Sequence, residues 1–225
     1  MMALLDRLCG SNSPRKGAPV LRAQRGFSLL ELMITLTIVL ILGGFTFVTM
    51  QPSLRQSNVN SAYDTTLMIL RNYRSQAITQ RKQYIVTFNA PNSITVTYQG
   101  VGTPIAPPPV VVQTATLPIN DTVRYGIVAG VPNTAPTVPD GFGIGAVPID
   151  FDYGPGGAGG GNYVKFMPDG TSQDVNGNLN SGIIYIGRPN QLNTMRAITI
   201  VGATGRVRGW RLNVPTAGAP TWIQQ

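Results

Sequence analysis

The hydrophobic pattern of the chain changes period twice. From Phe27 to Met50 it reads FSLLELMITLTIVLILGGFTFVTM, 24 residues with one charge, Glu31. A helix of that length covers roughly 36 Å, enough for a hydrocarbon core of about 30 Å. Polar residues then return. Val59, Tyr63, Thr66, Leu70, Tyr73 and Ala77 recur at alternating intervals of four and three. That spacing predicts an amphipathic helix to about Gln80 with one stripe facing a core. Gly43-Gly44 and Pro52 are weak points along the way, since glycine costs helix entropy and proline removes a backbone donor.

After Gln80 the period falls to two. Tyr84–Phe88 and Ser93–Tyr98, joined by the polar turn Asn89-Ala90-Pro91-Asn92, read as a β-hairpin. Strands are predicted again at Tyr163–Phe166, Ile183–Ile186, Ala197–Val201 and Val207–Leu212, with a turn at Pro168–Thr171 between the first two. Residues 101–162 are rich in Gly and Pro, with weaker strands at 110–117 and 122–129. Pro107–Pro109 and the GGAGGG run at Gly156–Gly161 read as loops, the latter as a flexible connection. The predicted fold class is α+β: a long N-terminal transmembrane and amphipathic helix followed by an all-β head.

Composition narrows the function. The chain has no histidine, which removes the commonest general base and transition-metal ligand. Its one cysteine, Cys9, precedes the apolar run. Five of the 17 basic residues and one of the nine acids lie in residues 1–26, so the remainder carries a net charge of +4. The basic residues ahead of the span place residues 1–26 in the cytoplasm and the rest outside. The run exceeds the apolar core of a secretory signal peptide and lacks a small-x-small cleavage site. A plain single-pass anchor leaves Glu31 unexplained, because a carboxylate at such depth costs on the order of 2.5–3.5 kcal/mol.

Arg25-Gly26-Phe27-Ser28-Leu29-Leu30-Glu31-Leu32 resembles the prepilin cleavage and methylation motif of type IV pilins and type II secretion pseudopilins. The resemblance implies cleavage after Gly26 by a prepilin peptidase and methylation of the new first residue, Phe27. It implies that Glu31 pairs with the N-terminal amine of a neighbouring subunit, giving the buried acid a cation. Three further stretches resemble the GspH/FimT-like minor pilins and pseudopilins: Leu70–Ile78, Val164–Thr171, and Ile198–Val201 leading to Gly205-Arg206-Val207-Arg208. The organisation implied is a leader at 1–26, a transmembrane and assembly helix at 27–50, its amphipathic extension at 51–83, and a head at 84–225. Residues 100–160 match the family poorly and read as this protein's own surface.

The resemblance implies a structural subunit of the bacterial inner membrane. It would help initiate or cap a type IV pilus or type II secretion pseudopilus, with other pilins as partners, no enzymatic activity, no cofactor and no metal. In some relatives a Gly-Arg-x-Arg segment binds double-stranded DNA, a role that would fall here on Arg206 and Arg208, extended by Arg211. Alternation puts Arg206, Arg208 and Trp210 on one strand face, where guanidiniums clamp phosphates and an indole stacks on a base. Arg71, Arg74, Arg81 and Lys82 fall beside the helix stripe and read as a solvated flank. Asp174-Val175-Asn176-Gly177-Asn178-Leu179-Asn180 alternates oxygen side chains as a calcium loop does, but lacks the closing bidentate acid, and its Asn-Gly pair is also that of an ordinary hairpin turn. Asp150 and Asp152 are two aspartates with no nucleophile or cofactor beside them.

Overall fold

The computed structural model describes residues 26–99, 110–117, 123–133, 137–143, 147–154 and 157–225. The leader up to Arg25, Cys9 and Pro107–Pro109 lie outside the described residues. One helix, α1 (Leu29–Gln80), is assigned without interruption through Gly43, Gly44 and Pro52 and stops at the predicted residue. Contacts divide the chain into two units, residues 1–48 and Thr49–Gln225.

In the first unit, Leu29–Phe47 is long and apolar enough to cross a membrane, with a mean hydropathy of 2.2 and none of it buried within the chain. Its threonines satisfy their hydroxyls locally. Thr35, Thr37 and Thr46 donate to the carbonyls of Leu32, Ile34 and Leu42 at 3.0, 2.8 and 2.9 Å. That is the arrangement a lipid-exposed helix requires of its polar groups.

In the second unit all six predicted stripe positions, Val59, Tyr63, Thr66, Leu70, Tyr73 and Ala77, are buried. They pack with residues of two antiparallel sheets. The five-stranded sheet runs β3 (Val110–Thr116), β2 (Ser93–Gln99), β1 (Gln83–Asn89), β7 (Tyr163–Phe166) and β8 (Ser172–Gln173). The larger sheet runs β12 (Thr221–Gln224), β11 (Arg206–Asn213), β10 (Gln191–Val201), β9 (Ser181–Arg188), β5 (Ile149–Gly154) and β6 (Gly157–Gly161), with β4 (Arg124–Tyr125) also pairing β9. The hairpin pairs Tyr84 with Tyr98, as its alternation requires.

Four expectations change. The strand predicted over 122–129 shrinks to Arg124–Tyr125. The Pro168–Thr171 turn leads into the short β8 rather than into Ile183–Ile186. Gly157–Gly161 is not a flexible connection but an edge strand pairing with β5, and the Gly160 N–H donates to Asp150 Oδ1 at 2.8 Å. Glycine lacks a side chain to prefer the pleat, so only the partner strand fixes it there.

The fourth change concerns residues 100–160, which are more than surface. Nearly all of β9 and most of β10 are buried, residue after residue, so both faces of the larger sheet are covered. The face away from α1 holds Ile183, Tyr185, Met195, Ala197 and Leu212. Val131 and Val138 close over it, with Ile127, Val128 and Phe142 packed alongside.

Candidate functional site

The Gly26–Phe27 peptide bond lies in the non-helical lead to α1. Among the described residues, no atom lies within 4 Å of where a Gly26 side chain would begin, and Phe27 is 80% exposed. Helical bonding starts at once behind it, with the Leu32 N–H donating to the Ser28 carbonyl at 3.0 Å. Glu31 falls in the first helical turn, where unsatisfied N–H groups favour a negative charge. It has no cationic partner among the described residues.

The predicted arginine set divides. Arg208 forms an ion pair with Asp140, which also accepts from Thr199 Oγ1 at 2.5 Å. Trp210 donates its indole N–H to the same Thr199 oxygen at 2.9 Å and packs with the outer core, so it is not a free stacking surface for a base. Trp210, Thr199, Asp140 and Arg208 therefore form one chain of hydrogen bonds. It latches the Pro139–Gly141 turn onto the sheet. Asp140 takes a left-handed backbone there, with φ 53°, a conformation aspartate tolerates better than most residues. Arg211 is exposed, outside that chain of bonds, and in register with Arg196 on β10.

Arg206 finds different company. With Arg71, Arg74, Thr204 and Val207 it lines a cleft of about 410 Å³. Arg74 is fixed by its Nε and Nη2 groups, which donate to the Thr204 carbonyl at 3.2 and 2.8 Å, so it is more than a solvated flank. Arg71 and Arg206 are exposed, and no carboxylate pairs with either among the described residues. Two glycines make the corner. Gly205, at φ +59°, would place a Cβ 2.2 Å from the Gly170 carbonyl oxygen and 2.9 Å from Arg74 Nε. Gly170, at φ +86°, abuts Ile78 and Arg74. Leu70–Ile78, Val164–Thr171 and Gly205–Arg208, the stretches singled out in the sequence, thus meet at Arg74. Sequence spacing gave Arg71 and Arg74 only as neighbours of the stripe, and nothing local tied them to Arg206.

The remaining candidates resolve into structure. Asp174 Oδ1 accepts the backbone N–H groups of Asn176 and Asn178, both at 2.8 Å, so this carboxylate closes its own turn. Desolvation raises its pKa, but the hydrogen bonds from Asn178 and Asn176 outweigh that and hold it below the usual carboxylate value. Thr171 likewise holds Asp169 low, through its hydroxyl and its backbone N–H. Asp150 is fully buried. Among the described residues, no group of three or more His, Cys, Asp or Glu is placed to hold a metal ion.

Comparison with known proteins bears mainly on the N-terminal segment. The profile of the family described as "Prokaryotic N-terminal methylation motif" matches residues 21–47. No curated protein matches the chain. Among solved structures, the chain is similar to the crystal structure of the type IV minor pilin FimU of Pseudomonas aeruginosa (strain PAO1). That likeness is at 13% identity and a TM-score of 0.41, over 76% of this chain and 96% of that one. The profile match brackets Gly26, Phe27 and Glu31 together with Leu29–Phe47. Residues 21–47 of the chain therefore carry a prokaryotic N-terminal methylation motif.

Proposed function

We propose that this chain is a minor pilin or pseudopilin that helps initiate or cap a type IV pilus or a type II secretion pseudopilus. A prepilin peptidase cuts after Gly26 and the new N-terminal Phe27 is methylated. Leu29–Phe47 holds the subunit in the bacterial inner membrane, with residues 1–26 on the cytoplasmic side and the head outside. On assembly, Glu31 meets the amine of a neighbouring subunit while the apolar helices bury one another. The observation that carries this reading is the unburied apolar span directly behind Gly26-Phe27, with one acid in its first turn. The test is mass spectrometry of the chain extracted from membranes that contain a prepilin peptidase. N-methylated Phe27 as first residue is expected, and Gly26→Val should leave the leader attached. A first residue of Met1 in both would sink the reading.

A second reading is double-stranded DNA binding, and the Arg71–Arg74–Arg206 cleft supports it in preference to the linear Arg206-Arg208-Arg211 set. Two exposed guanidiniums without carboxylate partners among the described residues, beside a third held rigid, suit backbone phosphates and salt-sensitive, sequence-independent binding. Arg71→Ala with Arg206→Ala should weaken DNA binding and lower the salt slope by about 2. Arg211→Ala should do neither. Equal losses from Arg211→Ala would return the role to the strand arginines.

A further inference from the structure

Arg196 on β10 is buried, and the described residues give it no anion. Its Nη2 donates to Asn60 Oδ1 at 2.9 Å, and its Nη1 donates to the Met195 and Thr194 carbonyls at 3.0 and 3.5 Å. All three acceptors are neutral, and its Nε makes no hydrogen bond among the described residues. A buried charge held by neutral groups alone is costly and is ordinarily given a counter-ion. Here the neighbouring strand supplies a second cation instead. Arg211 on β11 stands directly opposite Arg196, where Cβ atoms lie about 5 Å apart and side chains share a face. That face is the one turned to α1. Asn60 reaches Arg196 from the helix, and Gly209, two residues before Arg211, abuts Tyr63. Arg211 is exposed there, beside the exposed Ile223 of β12.

The polar groups left over at this place are donors. Asn60 gives its oxygen to Arg196, so its Nδ2 remains, and none of the Arg211 N–H groups is bonded among the described residues. Arg211, Asn60 Nδ2 and Arg196 Nε thus offer N–H groups from β11, α1 and β10. Asp64, one turn along α1 from Asn60, acts on Arg196 electrostatically. It makes no ion pair with either guanidinium among the described residues. A cluster of donors suits an acceptor-only ligand. Because the donors come from three elements, a tetrahedral oxyanion answers them better than a carboxylate, whose two oxygens lie in one plane. Phosphate also brings a charge of about −1.5 to −2 at pH 7 and accepts forked guanidinium bonds.

We propose that Arg196, Arg211 and Asn60 bind one phosphate-type oxyanion, which ties α1 to β10 and β11. The phosphate is free or is carried by an anionic lipid headgroup. The site does not depend on the pilin reading and shares no residue with the Arg71–Arg74–Arg206 cleft.

The test uses the full chain in detergent, in an Arg71→Ala/Arg206→Ala background, so that phosphate taken by that cleft is not counted. Inorganic phosphate should raise the thermal midpoint saturably over chloride at equal ionic strength, since a ligand of the folded state stabilises it. Arg211→Gln, a change at an exposed position, should raise the half-saturating concentration about 10-fold or more. Arg211→Lys should raise it less, keeping the charge but losing the fork. Arg196→Met should abolish the phosphate gain while its midpoint in chloride stays level or rises, which general damage to the fold does not produce. Nanodiscs separate the two sources. A higher midpoint with phosphatidylglycerol than with phosphatidylcholine, lost in Arg211→Gln, assigns the lipid headgroup; a phosphate gain equal in both assigns the free ion. Flat results in both comparisons, phosphate against chloride and one lipid against the other, would overturn the proposal. So would gains that Arg211→Gln leaves intact.

Discussion

The hydroxyl of Tyr63 on α1 occupies the space that a side chain at position 209 of β11 would take: a Cβ there would lie 1.7 Å from the Tyr63 oxygen. The helix packs onto the sheet at this point because the strand presents bare backbone. The hydroxyl is buried and has no hydrogen-bond partner among the described residues, and burial raises its pKa.

Gly209→Ala should therefore cost about 1–3 kcal/mol through overpacking, read as a lower thermal midpoint of the extracted chain. Tyr63→Phe removes an orphan hydroxyl and should leave stability unchanged or raise it. Tyr63→Leu should recover much of the Gly209→Ala loss. If the two substitutions simply add, the contact is not the cause.

Gly205 and Gly177 separate steric from conformational cost. Both have positive φ, but only Gly205 is crowded, by Gly170 and Arg74; nothing lies within 4 Å of a Cβ at Gly177. Alanine at 177 should cost only the left-handed strain, about 1–2 kcal/mol. Alanine at 205 should cost clearly more and should release Arg74 from Thr204. Equal unfolding midpoints for the two variants would remove the corner from the account.

Arg196 is 2% exposed and donates to Asn60 Oδ1 at 2.9 Å and to the Met195 carbonyl at 3.0 Å. Desolvation, then Arg211, brings its pKa down to about 10. A cation whose pKa is lowered by folding penalises the fold fully below that value. The penalty fades as pH rises from about 10 toward the higher value of a free guanidinium. Arg196→Met should match or exceed the parent in stability at pH 7, with the difference narrowing above pH 10. Asn60→Leu, which strands the charge, should destabilise. A large loss in Arg196→Met would show that the guanidinium is a net support.

The Asp140 latch gives a double-mutant cycle. Asp140→Ala leaves Arg208 half-buried without its anion and should cost about 1–3 kcal/mol. Once Arg208 is also alanine, the further cost of removing Asp140 should shrink. Independent effects would mean that the ion pair does not hold the turn.

Asp169 carries a pH signature. Thr171 lowers its pKa, so the turn gains stability above the ordinary carboxylate pKa and loses it as pH falls through the lowered folded value. Thr171→Val deletes the hydroxyl bond of 2.7 Å and should shift the Asp169 titration, followed by NMR, upward. An unmoved titration would exclude that bond as the cause.

The sequence alone determined the apolar span, the motif at its start, the amphipathic stripe, and the strands that alternate. These features are local: a period of 3.6 or 2 selects helix or strand by which residues share a face, and a charge inside a greasy run is visible without coordinates. The Tyr163–Phe166 and Val207–Leu212 strands were legible for that reason. Only the tertiary structure decided what the arginines do and what covers the larger sheet. Arg208 and Asp140 are 68 residues apart, and their pairing leaves no periodic trace. A glycine-rich strand such as Gly157–Gly161 has no side-chain pattern at all and exists because β5 offers it hydrogen bonds. Long-range pairing is fixed by the free energy of the assembled head, through burial of apolar area and satisfaction of polar groups, which no single stretch of the chain contains.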